Sequence, residues 1–182
     1  MLINVVELHD SAKILILDKI FDSDLLTELH ELCNTFSVDH PDWKDPGWTK
    51  LRYEYIGGSD AHTNLCNYLR SSEFIDPVSA ALGKTMEFGN LILWIDLPGY
   101  GPLSPHVDRD NPGLMQAYIT TTPHSYTGTT MYSDDNNILF QLPYRDNFGW
   151  FFYPADKVLH GREHSVPEGV KRFSILINFY QR

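Results

Sequence analysis

The sequence contains little cysteine and comparatively little positive charge. Its two cysteines, Cys33 and Cys66, form no CxxC pair, so neither a disulfide framework nor a zinc site is expected, and both are predicted to be small buried side chains in a reducing compartment. Fourteen Lys and Arg stand against 24 Asp and Glu, which gives a formal net charge of -10. Such a charge repels phosphate backbones and argues against nucleic acid as a partner.

Long apolar runs are also absent. The N-terminus shows no basic segment followed by an apolar stretch, and no run approaches the roughly 20 apolar residues that span a bilayer. We therefore expect a cytoplasmic protein without a membrane segment. With 182 residues, of which 42% are hydrophobic, the chain suits a single domain with a substantial core.

The first 84 residues contain both strand and helix patterns. Branched apolar residues predict strands at 3–8 and 13–17, separated by the turn-like His9-Asp10-Ser11. A helix is predicted to begin at Asp22 or Ser23, because apolar residues then recur at helical spacing. The remaining predicted elements are a loop at 38–49, a strand at 51–56, a helix near 63–69, and a helix that begins at Ser72 or Asp76 and ends at Leu82.

After residue 85 the helical pattern disappears. Gly, Pro, Asp and Asn separate a series of predicted strands at 85–97, 114–121, 129–132, 138–142, 148–153, 158–161 and 171–180. Short strands without intervening helices indicate an antiparallel sandwich or barrel. We therefore expect one domain over 1–182, in which 1–84 supply supporting strands and helices and 85–182 form the barrel that carries the site.

A turn-rich run from Pro98 to Pro105 leads into His106-Val107-Asp108. In an extended backbone, side chains two residues apart leave the same face, so His106 and Asp108 can converge on one metal ion. A further ligand has to come from a distant strand, for which His160 is the best candidate and His164 the rival.

A second His-x-Asp pattern occurs at His40-Pro41-Asp42, which shows that this tripeptide is weak evidence on its own. It lies between a helix and a strand and has no glycine turn before it. We therefore do not expect it to bind a metal.

Arg172 opens the last predicted strand, and Ser174 shares its face by the period of two. A guanidinium group binds a carboxylate through two parallel hydrogen bonds, and the nearby hydroxyl adds another, so this pair suits a dicarboxylate ligand. The alternative is a structural ion pair at a strand end. Tyr118 shares a face with Gln116 and Thr120, and either hydrogen-bonds the same carboxylate or is a core tyrosine.

Taken in order, these residues resemble the 2-oxoglutarate- and Fe(II)-dependent dioxygenase superfamily, particularly its small prolyl-hydroxylase-like members. The matching segments are Pro98-Gly99-Tyr100 before His106-Val107-Asp108, Gly128 to Tyr132, Phe152-Tyr153-Pro154 before His160-Gly161, and Gly169 to Ser174 with its Arg-x-Ser. The resemblance covers about residues 85 to 180. It implies a double-stranded β-helix, a jelly-roll or cupin-like barrel, with iron held by His106, Asp108 and His160.

The resemblance also implies a reaction. 2-Oxoglutarate would chelate the iron and place its 5-carboxylate on Arg172 and Ser174, while O2 oxidises a C–H bond of the substrate and succinate and CO2 are released. Hydroxylation is expected because halogenating relatives lack the carboxylate that Asp108 retains. The catalytic and metal residues are thus predicted to be His106, Asp108 and His160, and the cosubstrate residues Arg172, Ser174 and Tyr118.

Two other functions remain open at this stage. A non-enzymatic cupin-like barrel would bind a sugar or small acid and use its histidines structurally, and a nucleic-acid demethylase would share the iron chemistry but conflicts with the acidic composition. The substrate, a peptidyl side chain or a small metabolite, cannot be read from loop residues. Arg109, Asp110 and Trp150 are candidates for the mouth of the substrate pocket.

Overall fold

The computed structural model describes residues 1–8, 12–108, 112–124 and 127–182. It contains mainly strands, with three helices in the first half of the chain. The strands are β1 (Leu2–Glu7), β2 (Lys13–Asp18), β3 (Trp43–Lys44), β4 (Arg52–Tyr55), β5 (Met86–Asp96), β6 (Leu103–His106), β7 (Gly113–Ile119), β8 (Thr130–Tyr132), β9 (Ile138–Gln141), β10 (Phe148–Tyr153), β11 (His160–Arg162) and β12 (Arg172–Gln181). The helices are α1 (Ser23–Asn34), α2 (Asp60–Arg70) and α3 (Ser72–Leu82).

The strands form two antiparallel sheets. The larger has eight strands in the order β1-β2-β10-β7-β12-β5-β4-β3, and the smaller has four in the order β6-β11-β8-β9. One apolar cluster joins them, since Met131 of the smaller sheet packs with Leu114 and Trp150 of the larger. Two facing antiparallel sheets confirm the predicted β fold. Strands β1 to β4 come from the first 84 residues, which therefore extend the larger sheet at both of its edges.

The helices cover the outer face of the larger sheet. Asp22 caps α1 by accepting hydrogen bonds from the backbone N–H groups of Asp24 and Leu25. The apolar stripe of α1, which includes Leu29, packs in one core cluster with Ile175 and Ile177 of β12. Arg172 and Ser174 lie on the opposite face of β12, which points into the space between the sheets. Alternation along this strand therefore places apolar residues against the helices and these two polar residues towards the site.

The structure differs from the predicted elements in three places. β6 lies within the proline-rich run that was predicted as a turn; it is an edge strand, where Pro105 costs no ladder hydrogen bond. The loop 38–49 contains the short strand β3. Of the two predicted starts of α3, the structure has Ser72; the alternative start at Asp76 is wrong, since Pro77 lies inside the helix and not at its first position.

No helix among the described residues is long and apolar enough to cross a membrane. Cys33 is buried and Cys66 half-buried, and neither is in a disulfide. The turn predicted at His9-Asp10-Ser11 lies outside the described residues.

Candidate metal and dicarboxylate site

Two histidines face each other across the edge of the smaller sheet. His106 at the end of β6 is paired with His160 at the start of β11, and their ring centroids are 4.5 Å apart. Asp108 follows two residues after His106, and its Oδ2 lies 3.2 Å from Nε2 of His160. One ligand atom from each residue falls within 4.8 Å of the others, and this is the only such group of three or more among the described residues.

The same local hydrogen bond fixes both imidazole rings. Nδ1 of His106 lies 2.8 Å from the carbonyl oxygen of Ser104, and Nδ1 of His160 lies 3.0 Å from that of Val158. Because a carbonyl oxygen can only accept, Nδ1 is the donor in each ring. Nε2 is the nitrogen that keeps a lone pair when the ring is neutral, and in His160 it can donate to Asp108 when the ring is protonated. Both Nε2 atoms are therefore ready to bind a metal ion, with the orienting partner that metal-binding histidines commonly have.

The three side chains differ in exposure. His160 is buried against the rings of Phe152 and Trp150, at centroid distances of 4.8 and 5.6 Å, whereas His106 is exposed and Asp108 half-buried. Burial raises the pKa of Asp108, but the hydrogen bond and charge of His160 and the charge of His106 outweigh it, so that the pKa lies below its ordinary value. Asp108 is thus a carboxylate at neutral pH, open to solvent on one side.

The competing histidines lie elsewhere. His164 is exposed and outside the group of ligand atoms, which contains His160. At His40-Pro41-Asp42 the His40 ring instead accepts a hydrogen bond from the backbone N–H of Asp42. Arg109 and Asp110 lie outside the described residues.

Arg172 is buried and lines the same cavity as the metal-ligand group. Its guanidinium donates to Asp96 Oδ2 at 3.0 Å and Ser174 Oγ at 3.3 Å through Nη1, to Gln116 Oε1 at 3.3 Å through Nη2, and to the Thr127 carbonyl at 2.7 Å through Nε. The neighbouring Lys171 is exposed. Arg172 is therefore the cation of this pair that faces the interior.

Tyr118 and Ser174 do not line the cavity themselves, but each is hydrogen-bonded to a residue that does. Tyr118 is fully buried, shares hydrogen bonds with Thr129 and Gln116, and has its ring centroid 5.0 Å from Cζ of Arg172. Gln116, Thr129 and Arg172 themselves line the cavity. In this structure the predicted cosubstrate residues thus form one connected polar network.

Three charged residues at this site were not predicted from the sequence. Asp96 is directly opposite Arg172 in the β5–β12 pairing and opposite Arg52 in the β4–β5 pairing. Arg52 contacts its carboxylate at 2.6 Å, and Arg162 reaches it from the smaller sheet at 3.2 Å. An aspartate at the end of the apolar strand Leu91-Ile92-Leu93-Trp94-Ile95 was the one available signal of a buried charge.

The cluster of Asp96 and three arginines carries more positive than negative charge, and this excess shifts the pKa values within it. Burial raises the pKa of Asp96, but its hydrogen bond with Arg52 and the charges of the three arginines hold it below its ordinary value. Burial and the nearby Arg172 lower the pKa of Arg162 to about 10, against the opposing effect of Asp96. The carboxylate is thus firmly ionised and does not neutralise all of its partners.

The cavity between the sheets holds both groups of residues. Its volume is about 330 Å³, near the lower limit of small-molecule pockets. It is lined by Trp48, Arg52, Trp94, Tyr100, Leu103, His106, Asp108, Gln116, Gly128, Thr129, Trp150, His160, Gly161, Arg162, Arg172 and Leu176. Trp150, predicted at the substrate mouth, does line this cavity but is almost wholly buried.

Two imidazole nitrogens and one carboxylate, with further positions open to a cavity, are the donor set of mononuclear Fe(II) oxygenases. The protonated Nδ1 atoms and the ionised Asp108 fit that set without rearrangement. A buried cationic group in the same cavity fits a dicarboxylate. The site can therefore hold a divalent metal and an organic anion together.

Comparisons with known proteins agree on the fold. No protein-family model matches the sequence, and no curated protein does so either. Among solved structures, an oxidoreductase of the 2OG-Fe(II) oxygenase family from Burkholderia pseudomallei is similar with a TM-score of 0.66 at 12% identity, covering 93% of this chain and 84% of that one.

Two further solved structures are similar to this chain over 92% of its length. HygX from Streptomyces hygroscopicus with nickel, 2-oxoglutarate and hygromycin B has a TM-score of 0.64 at 11% identity, over 92% of this chain and 82% of that one. A prolyl hydroxylase from Trichoplax adhaerens, in complex with a hypoxia inducible factor peptide fragment, gives 0.64 at 14% identity, over 92% and 83%. The chain therefore has the double-stranded β-helix fold of the 2-oxoglutarate- and Fe(II)-dependent oxygenases.

Proposed function

We propose that this protein is an Fe(II)- and 2-oxoglutarate-dependent dioxygenase that hydroxylates a C–H bond of its substrate, with succinate and CO2 as coproducts. One observation carries the proposal. His106, Asp108 and His160 bring their ligand atoms within 4.8 Å of one another, in the same cavity as Arg172. The fold of the structural neighbours supports it.

The metal would be held by Nε2 of His106, Nε2 of His160 and a carboxylate oxygen of Asp108. The Ser104 and Val158 carbonyls orient the two rings through Nδ1, so the neutral imidazoles present Nε2 to the metal without a change of tautomer. Asp108 does not have to lose a proton at neutral pH, because its pKa is already below its ordinary value. A retained carboxylate ligand favours hydroxylation over halogenation.

Arg172 would hold the distal carboxylate of 2-oxoglutarate. Its hydrogen bonds to Asp96, Ser174 and the Thr127 carbonyl fix the guanidinium plane, so that little side-chain entropy is lost on binding. Gln116 and Thr129 add polar groups on the same wall. Tyr118 and Ser174 would position Arg172 and this wall from behind.

Bound together, iron and 2-oxoglutarate would supply the activation of O2 and the oxidising power for the C–H bond. The protein's own contribution is to position the reactants and to exclude water. Trp150 and Phe152 stack with ring centroids 3.7 Å apart against His160, which keeps the inner side of the site dry. The exposed side of His106 leaves an approach for the substrate.

The reaction is tested by 2-oxoglutarate-dependent release of succinate in the presence of Fe(II) and O2. The His106→Ala variant should lose this release, because one of three metal ligands is missing. His40→Ala, from the other His-x-Asp segment, is the matched control and should retain it. Equal succinate release by His106→Ala and the parent would contradict the proposal, and a non-enzymatic cupin-like barrel would then be the better account.

A further inference from the structure

The cavity contains a second pair of arginines that the proposed chemistry does not use. Arg52 and Arg162 both line the cavity and both are almost fully buried, at 6% and 2% exposure. Each contacts Asp96, which they share with Arg172. One carboxylate therefore forms ion pairs with three guanidinium groups.

Arg162 has unused hydrogen-bonding capacity. Its Nη1 donates to Asp96 at 3.2 Å and its Nη2 to the Tyr100 carbonyl at 2.8 Å. Its Nε is buried and has no acceptor among the described residues. Buried donors of this kind are rare and costly, so an unpaired one on a cavity wall indicates a ligand acceptor.

The charge balance of the cavity indicates the same ligand chemistry. Its described charged groups are three arginines, Asp108 and the Asp96 behind them, which leave one positive charge in excess. Fe(II) adds two positive charges and the 2-oxoglutarate dianion removes two. One cationic charge thus remains unbalanced in a buried site, where that is unfavourable.

The surroundings of this pair differ from those of Arg172. Cζ of Arg52 lies 4.0 Å from the ring centroid of Trp94 and 4.4 Å from that of Tyr100. Trp48, also on the wall, is 62% exposed, so this side of the cluster adjoins solvent. Arg172 instead packs near the buried rings of Tyr118 and Tyr144.

The backbone also makes room for the guanidinium of Arg162. Gly101 has a φ of +96°, and a Cβ there would lie 2.6 Å from Nη2 of Arg162. A residue with a side chain would therefore both strain the backbone and displace this group.

We propose that the substrate carries a carboxylate that pairs with Arg162 and Arg52 in the cavity, beside the aromatic wall of Trp48, Trp94 and Tyr100. This inference rests on the proposed function, because it assigns Arg172 to the cosubstrate and the other two arginines to the substrate. A small free acid and an acidic side chain of a peptide share this chemistry.

The test uses calorimetry on the nickel(II)-loaded protein, in which no turnover occurs. 2-Oxoglutarate is titrated first; failure to bind would contradict the proposed function itself. The saturated protein is then titrated with phenylacetate, with its neutral amide phenylacetamide, and with two capped peptides that differ only in one residue, glutamate or glutamine.

The carboxylate should bind at least about tenfold more tightly than the amide, which is the usual size of a charge-assisted hydrogen bond. Phenylacetate represents a small free acid and the glutamate peptide an acidic side chain, so comparing them identifies which of the two the site prefers. Preference for either acid over its amide supports the subsite. Equal binding of acids and amides, with 2-oxoglutarate bound, would overturn it.

Variants assign the preference to residues. Arg162→Gln should lose it, and Arg162→Lys should restore part of it. If Arg162→Gln folds but no longer binds 2-oxoglutarate, Arg162 belongs to the cosubstrate site and the inference is wrong. Leu103→Glu, at a half-buried position of the same wall, avoids removal of a buried charge; it should abolish the preference by competition, whereas Leu103→Gln should keep it.

Discussion

Asp96 and Arg172 lie directly opposite each other on β5 and β12, and their Oδ2 and Nη1 atoms are 3.0 Å apart. The same carboxylate contacts Arg52 on β4 and Arg162 on the smaller sheet. Asp96 therefore joins the two sheets at the site and holds the arginine that the proposed reaction requires. Its loss should affect both the fold and the function.

Asp96→Asn should lower the free energy of unfolding by about 3–5 kcal/mol, because three buried guanidinium groups would lose the carboxylate that they share. Denaturant unfolding at neutral pH measures this difference. Asp39→Asn, at an exposed position, is the control and should change stability by less than about 0.5 kcal/mol. An equally small effect at Asp96 would contradict the structural role.

The stabilising effect of Asp96 should depend on pH in one direction. Its pKa in the folded protein is below the ordinary value of about 3.9, so the stabilisation is fully present above that value and is lost as the pH falls towards the folded pKa. The difference in unfolding free energy between the parent and Asp96→Asn should therefore shrink below about pH 4. A difference that widens on acidification would show the opposite sign.

Arg172→Gln should weaken 2-oxoglutarate binding by about tenfold to a hundredfold, since it removes charge-assisted hydrogen bonds. Arg172→Lys should recover only part of this, because an ammonium group keeps the positive charge but cannot reproduce the planar set of hydrogen bonds to Asp96, Ser174 and the Thr127 carbonyl that orients the guanidinium. Calorimetry on the metal-loaded protein measures both. Lys171→Gln, at the exposed neighbour, should bind like the parent, and a loss there instead would reverse the assignment.

Gly161→Ala should disturb the pairing that places His106 opposite His160. An added Cβ would lie 2.6 Å from the Leu103 carbonyl oxygen of β6, so the two strands would have to separate. Nickel(II) affinity should fall by about tenfold or more and stability by about 1–3 kcal/mol. Gly58→Ala, whose Cβ would meet nothing within 4 Å, should change neither; unaltered metal binding in Gly161→Ala would show that this register is not needed.

Local sequence patterns predicted features that depend on a single segment of the chain. They did not predict which strands that are distant in the sequence lie side by side. The period of two in β12 predicted that Arg172 and Ser174 share one face, and in the structure both are buried on the face that points into the space between the sheets. The helical stripe of α1 was likewise found against the sheet. β6 escaped prediction because Pro102 and Pro105 resemble a turn, and only its position at a sheet edge makes Pro105 compatible with a strand.

The part of the site that escaped prediction depends on register. Arg52 precedes Asp96 by 44 residues, and only the pairing of β4 with β5 brings them together. Arg162 is similarly placed by the approach of the smaller sheet. No spacing in a single sequence specifies such pairings, whereas His106 and Asp108 are two residues apart on one extended segment and could be recognised directly.

The central claim is that His106, Asp108 and His160 form an iron site that also accepts 2-oxoglutarate. Its most direct test is an anaerobic titration of the protein with Fe(II), with and without 2-oxoglutarate, following the visible charge-transfer band of the chelate. The band should appear in the parent and in His164→Ala, and should be absent in His160→Ala. No band in the parent, or a band lost only in His164→Ala, would contradict the account.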